Sequence, residues 1–419
     1  MSTSTTPQLS GPEPSASGGV FSTAVREIMA SSPMRVLLSI LLGFLAGAII
    51  LVFTDPDVAA ASAYFFARPG DTLIAAWDVV SRGYGALLEG SIWDPAGANL
   101  IEQSAPLVAS LNRAAPLIVA GLGIALSFRT GMFNIGGQGQ VLFGAAFAAF
   151  ISFQVHLPAG IHLVVAILFG VLGAGLLGAF VGFLKAKTGA HEVIVTIMLN
   201  YIAYNFVTYL MRTPVLQDPE AGGTPKTVAP DATAQYPLIF GDSVALNLGI
   251  LIAVIATVAY WWIMERSSMG FRFRAVGFNP NAARSAGISV ARTYVLAMTF
   301  SALFVGLAGA NQALARSTGF MNTIDSGIGF DAITVALLGG STPWGIFIAG
   351  VFFGAMKAGS STMQAAGVAP EILTIVQGLI VLFIAAPPLV RAIFRLPSGH
   401  ARQRRRQKSS HVEKAEVSA

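Results

Sequence analysis

The segment 265-ERSSMGFRFRAVGFNPNAARSAGISVAR-292 lies between two long apolar runs, Ile250–Met264 and Tyr294–Ala310. It carries five arginines, Arg266, Arg272, Arg274, Arg284 and Arg292, in a chain otherwise short of charge. Loops enriched in lysine and arginine between apolar runs belong to the cytoplasmic side of a membrane protein. The interior of the segment is also patterned. A turn at Gly277-Phe278-Asn279-Pro280 leads into a short helix of small residues, Asn281–Ala286, with Gly287 as its stop. Two readings are open. It is a basic turn that only sets topology, or it is a docking element whose small Ala282-Ala283 surface fits a groove on a cytoplasmic partner.

The wider composition agrees with a membrane setting. Of 419 residues, 54% are hydrophobic and only 11% charged, against roughly 25% charged in soluble domains. Several apolar runs approach the ~20 residues that cross a bilayer as a helix. The expected fold is all-α, a polytopic protein of about ten transmembrane helices, some of them broken. There is no cysteine, so disulfides and thiolate metal sites are excluded. The net charge of +5 does not point to nucleic acid, because the basic residues cluster where topology alone places them.

Residues 1–34, rich in Ser, Thr, Pro and Gly, read as a disordered cytoplasmic tail, and no signal peptide is expected ahead of the first span. The transmembrane domain covers 35–395. Its expected spans are Val36–Phe53, then 106–128, 141–157, 162–184, 192–211, 244–264, 293–314, 330–340, 344–358 and 371–390. The two spans between 330 and 358 are short and Gly-broken, and the alternative is one re-entrant hairpin, which leaves the sidedness unchanged. Residues 54–104 read as an external loop with short amphipathic helices, and 213–243 as a polar loop. Residues 396–419 form a basic cytoplasmic tail whose Arg404-Arg405-Arg406 run lies near anionic lipid. With both termini inside, eighteen of the 25 lysines and arginines fall in cytoplasmic segments and six outside, with Arg113 within a span. That bias supports the orientation.

The two halves resemble each other faintly. Gly121-Leu122 leads to Arg129-Thr130-Gly131-Met132-Phe133-Asn134, and Gly306-Leu307 leads to Arg316-Ser317-Thr318-Gly319-Phe320-Met321-Asn322. The spans run in opposite directions, as an inverted repeat requires, and Gly-interrupted helices at matching places point to a transport pathway. Chance similarity in an Ala/Gly-rich chain is the alternative.

No catalytic or metal constellation stands out. The five histidines are scattered, with no HxxxH pair. There is no GxSxG elbow and no GxxxxGK[ST] phosphate loop, so any ATP is bound by another subunit. Polar residues inside apolar runs are more informative, since they face a protein interior or a water-filled cavity. Glu192, Thr196, Asn200 and Tyr204 recur at i+4, with Tyr201, Asn205 and Tyr209 beside them. They line a translocation pathway or only hold the bundle together. Asn134, Gln138 and Gln140 face the pathway or satisfy the backbone where a helix breaks. Arg113 reads as an internal ion-pair or carbonyl partner. Asp331, Asn311 and Gln312 are further pathway candidates.

At these residues the chain resembles a known family. AVGFNPNAARSAGI (275–288) resembles the cytoplasmic coupling segment of permease subunits of ABC importers, in the branch that carries nucleosides and simple sugars. FNIGGQGQ (133–140), HEVIVTIMLNYIA (191–203, with His191 for the usual asparagine) and GFDAITVALLGG (329–340) resemble three further motifs of that branch, in order, across 105–395. The resemblance implies a permease that pairs with a second homologous permease, cytoplasmic ATP-binding subunits and an external substrate-binding protein. Arg274, Gly277, Asn279, Pro280, Ala282, Ala283, Arg284 and Gly287 would then meet the ATPase, and the permease itself would hold no cofactor. A branched-chain amino acid permease is the neighbouring alternative. A self-contained secondary transporter is the other, and it predicts a buried carboxylate network for which only Glu192 and Asp331 are available.

Overall fold

The computed structural model describes residues 32–241, 243–386 and Ile393. The tails expected at 1–34 and 396–419 lie outside these, except that Ser32–Met34 already open the first helix. Three helices come first: α1 (Ser32–Thr54), α2 (Pro56–Ser62) and α3 (Pro69–Glu89). Four more follow, α4 (Leu100–Arg129), α5 (Gly137–Gln154), α6 (Ile161–Thr188) and α7 (Glu192–Leu210). Next, α8 (Gly249–Trp261) runs into a π turn, Trp262–Arg266, that hands over to α9 (Ser268–Phe278) and α10 (Pro280–Ser285). The chain then forms α11 (Val290–Leu314), α12 (Ile328–Leu338), α13 (Pro343–Ala365) and α14 (Pro370–Ala385). No strand occurs among the described residues, only two isolated bridges.

Each of the ten expected spans falls on a helix. Seven are long and apolar enough to cross a membrane: α1 from Val36, α4, α6, α7, α8 with its π turn, α11 and α13. Helices α12 and α14 are shorter apolar segments. Expected as a short span at 344–358, α13 instead reaches Ala365, so the pair at 330–358 is one short helix and one full-length one rather than a re-entrant hairpin. At 30 residues α4 is about 45 Å long, more than the ~30 Å hydrocarbon core requires. Arg113, on its N-terminal half, is exposed and has no ion pair among the described residues. This corrects its reading as an internal partner.

Two compact units divide the chain. One combines α1 up to Ala46 with α14 from Gln377, and there Gly43 lies against the Ile380 side chain. The other spans Gly47–Val376 and contains the repeat. Within it α4 packs on α12 and α13, α11 packs on α5 and α6, and α4 and α11 pack on each other. The same residues make the matching contacts. Gly121 of α4 approaches Val335 of α12 and Ile346 of α13, while Gly306 of α11 approaches Gly144 of α5 and Ala174 of α6. Lipid offers no hydrophobic drive between apolar helices, so close approach at small residues supplies the packing. Gly354 against Ala114 and Gly178 against Met298 extend the two seams in the same way.

Residues 211–248 are more than a polar loop. Leu216 and Tyr236 are buried with Leu142, Val207, Met211, Leu314 and Phe320. The backbone is tied down as well. Phe320 N–H donates to Thr227 Oγ1 (3.0 Å), and Thr227 N–H donates to the Phe320 carbonyl (2.9 Å), as Tyr236 N–H does to that of Leu314 (2.9 Å). The connection forms a cap over the ends of α5, α6 and α11.

Candidate functional site: the helix crossing and the basic hairpin

Two helix breaks define the centre of the larger unit. After α4 ends at Arg129, the chain runs through Thr130–Gly136 before α5 starts at Gly137. Backbone groups at such a break have no helix partner, and in hydrocarbon each would cost several kcal/mol if left unpaired. Buried side chains pair them. Asn134 Oδ1 accepts from Gly136 N–H (2.9 Å), and its Nδ2 donates to Gln140 Oε1 (3.0 Å) and Ser301 Oγ (2.8 Å). Asn200 of α7 accepts from Gly139 N–H and donates to the Ile135 carbonyl, both at 2.9 Å. Asn134 and Asn200 thus pair backbone groups at the break, and the Gln140 amide is held against Asn134. Thr196 donates to the Glu192 carbonyl of its own helix (2.8 Å). Glu192 pairs with Lys185 (2.5 Å) and accepts from Phe133 N–H (3.4 Å), closing the same loop from the other side.

The second break mirrors the first. Asp325, 4% exposed, stands three residues ahead of α12, as Asn134 stands three ahead of α5. Its two oxygens accept from Gly327 N–H (3.1 Å) and Gly329 N–H (3.0 Å), one bond to each, as suits a carboxylate. The structural counterpart of Asn134 is therefore Asp325, and the sequence match to Asn322 is out of register by three. Asn322 instead donates to Tyr204 Oη (2.9 Å) and Thr208 Oγ1 (3.0 Å) on α7. Sequence reasoning missed Asp325, although an aspartate just before an apolar helix is a readable start signal. Asp331 pairs with Lys357 of α13 (2.6 Å), and Lys357 also donates to the Ser326 carbonyl (2.8 Å).

The two helix starts meet backbone to backbone. A Cβ on Gly137 would lie 2.7 Å from the Gly329 carbonyl oxygen, and one on Gly329 would overlap the Gln138 nitrogen. At this crossing Gln138 is half-buried and Phe330 exposed. The polar stripe of α7 divides in two. Glu192, Thr196 and Asn200 are buried, whereas Tyr201 (67%), Tyr209 (63%), Tyr204 and Asn205 are exposed.

The basic segment folds as a helical hairpin. Asn279 ends α9 and caps α10, accepting from Asn281 N–H (3.0 Å) and Ala282 N–H (3.1 Å). Pro280 occupies the first helical position, where its missing N–H is no loss, and Gly287 stops the turn at φ +79°. Ala283 is buried against Val276 and Val290, so the small surface expected from Ala282-Ala283 belongs to Ala282 alone. Arg274 Nη1 lies 3.8 Å from Glu265 and has no hydrogen-bond partner among the described residues. Exposed on the hairpin are Ala282, Arg284, Arg272, Phe271 and, at 94%, Phe278. The bare Phe278 ring was passed over in the sequence as part of the turn. Gly277 packs against the Arg129 carbonyl at the end of α4, with Gly131 beside it.

The described residues thus form a polytopic helical domain with two interrupted helices meeting at glycines and an anchored hairpin that exposes an apolar ring. Residues 107–385 match the family described as the branched-chain amino acid transport system permease component; the chain belongs to that family and is a permease subunit of an ABC importer. It is 34% identical over 361 residues to the guanosine ABC transporter permease protein NupP of Bacillus subtilis, covering 85% of this chain and 94% of that one. Over 300 residues it is 33% identical to the nucleoside ABC transporter permease protein NupB of Lactococcus lactis subsp. cremoris, covering 70% and 82%. The glucose ABC transporter permease protein TsgB13 of Haloferax volcanii is 32% identical over 287 residues, covering 65% and 74%. No solved structure matches the chain.

Proposed function

We propose that the chain is one permease of an ATP-driven importer of nucleosides, with simple sugars as the second reading. The observation that carries this is the 34% identity spanning 94% of a guanosine permease; the glucose permease keeps sugars in view. The permease pairs with a second homologous permease and receives solute from an external binding protein. Cytoplasmic ATP-binding subunits bind and hydrolyse the nucleotide, docking on the hairpin surface around Phe278, Ala282 and Arg284. Both termini lie in the cytoplasm, as the lysine and arginine bias suggests.

Tyr201, Tyr204, Asn205 and Tyr209 line the pathway, together with Gln138 and Asp331. Exposed amide and phenol groups on a spanning helix are costly against lipid tails, so this face of α7 belongs to a water-filled cavity or to the second permease. Hydroxyl and amide groups suit a neutral, polyhydroxylated solute. The cysteine-free background gives a direct test. Cysteines placed at Tyr201, Asn205 and Tyr209 are expected to react with a membrane-impermeant maleimide and to be protected by guanosine, while cysteines at the exposed Leu172 and Leu176 of α6 are not. Equal labelling of both helices would overturn the pathway. Protection by glucose but not by guanosine would move the substrate to the sugars.

A further inference from the structure

The docking hairpin meets the transmembrane core at α11, where Phe273 faces Phe300 and Ala283 lies beside Val290, and at the end of α4 through a charged contact. Glu265, in the π turn, holds Arg129 Nη1 with one oxygen (2.6 Å) and faces Arg274 Nη1 with the other (3.8 Å). Arg129 closes α4 and Arg274 lies on α9. One carboxylate therefore ties the docking hairpin to the last turn of α4. Two close backbone approaches stiffen the tie: Gly277 against the Arg129 carbonyl, and Gly270 against the carbonyls of Ile263 and Met264 in the π turn. From Arg129 the chain leads through Thr130–Gly136 into the start of α5, where it meets α12. A π turn within a helix often marks a functional joint.

We infer that Glu265 and Arg129 are the positioning pair through which movement of the hairpin reaches the crossing of α5 and α12. This rests on the hairpin being the ATPase docking surface. The pair is partly exposed, its side chains 24% and 37% accessible, and such pairs add little to stability. Its loss therefore affects transmission more than folding. A rigid link moves α4 with the hairpin; without it the hairpin slides over the end of α4 and the break stays still.

The test uses the whole importer in proteoliposomes, with guanosine uptake and ATP hydrolysis measured together. Glu265→Gln and Arg129→Gln are expected to co-purify with the ATPase and to hydrolyse ATP within twofold of the parent. Uptake per ATP should fall at least tenfold. Arg129→Lys keeps a positive charge beside Glu265 and leaves Arg274 undisturbed, and is expected to recover at least a third of that ratio. An unchanged ratio in the glutamine variants, or Arg129→Lys no better than they are, overturns the inference. Loss of ATPase from the purified single variants also overturns it, since the pair would then act in docking. If the parent carries no ATPase at all, the docking reading itself has failed, and that result is separable from the others.

Discussion

Asn200 bridges two backbone groups, Gly139 N–H and the Ile135 carbonyl, that no helix serves. Leaving a buried group of this kind unpaired costs about 1–3 kcal/mol. Asn200→Leu keeps the branching of the side chain at Cγ, adds bulk and loses both bonds, and is expected to lower the thermal unfolding midpoint in detergent by several degrees; an unchanged midpoint would mean that the break is held elsewhere. Tyr236 gives the opposite sign. Its hydroxyl is buried without a hydrogen-bond partner among the described residues, so Tyr236→Phe removes no bond and is expected to hold or raise the midpoint. Burial pushes the Tyr236 phenol above its ordinary range. The folded protein therefore resists the ionisation that the unfolded chain undergoes near pH 10, and this contribution to stability is complete below that pH and lost above it. Tyr236→Phe should flatten the alkaline fall in stability. The polar residues within the apolar runs were legible in sequence, but their tasks were not. An i+4 period says that Glu192, Thr196, Asn200 and Tyr204 share a helix face, and cannot say where that face stops meeting a backbone and starts meeting water.

Helices were legible wherever the apolar run was long, and the repeat wherever glycines marked it. Gly121 and Gly306 do hold equivalent places, each wedged into the opposite half. The slip came just beyond, because Asn322 imitates Asn134 in sequence while Asp325 performs its hydrogen bonding. The capped connection at 211–248 was hidden for another reason. Its buried residues, Leu216 and Tyr236, are separated by prolines and polar turns, with no period to read. The meeting of α5 and α12 makes a sharp demand at this scale. Gly329→Ala would drive a methyl group into the Gln138 backbone, which cannot give way as a flexible side chain can. Uptake is expected to fall at least tenfold with assembly intact, and wild-type uptake in this variant would show that the helix starts part during the cycle.

The basic hairpin is the molecule's outward-facing part on its proposed cytoplasmic side, and its arginines drew attention first. Its folded form shifts the weight to Phe278, whose ring is 94% exposed, while Ala283 turns inward. Phe278→Asp replaces a contact group on the surface and touches no internal packing. It is expected to reduce ATPase recovered with the purified permease at least tenfold and to leave the thermal midpoint unchanged. Ala283→Arg disturbs the hairpin itself and should lower the midpoint as well as the ATPase recovered. Equal recovery of ATPase with Phe278→Asp would place docking elsewhere on the hairpin.

The meeting of α5 and α12 also has an electrical side. Each helix start carries about half a positive elementary charge from its aligned peptide dipoles, and Lys357 adds a full one close to Asp331 and Ser326. Against these stand two carboxylates, Asp325 three residues ahead of α12 and Asp331 in its first turn. The opposing charges cancel almost completely. Were the proposed pathway to run here, an uncharged solute would meet local dipoles for its hydroxyls, and a lone proton or sodium ion would find little excess of negative charge to draw it across. Such a passage would open to water on alternate sides without short-circuiting the membrane voltage.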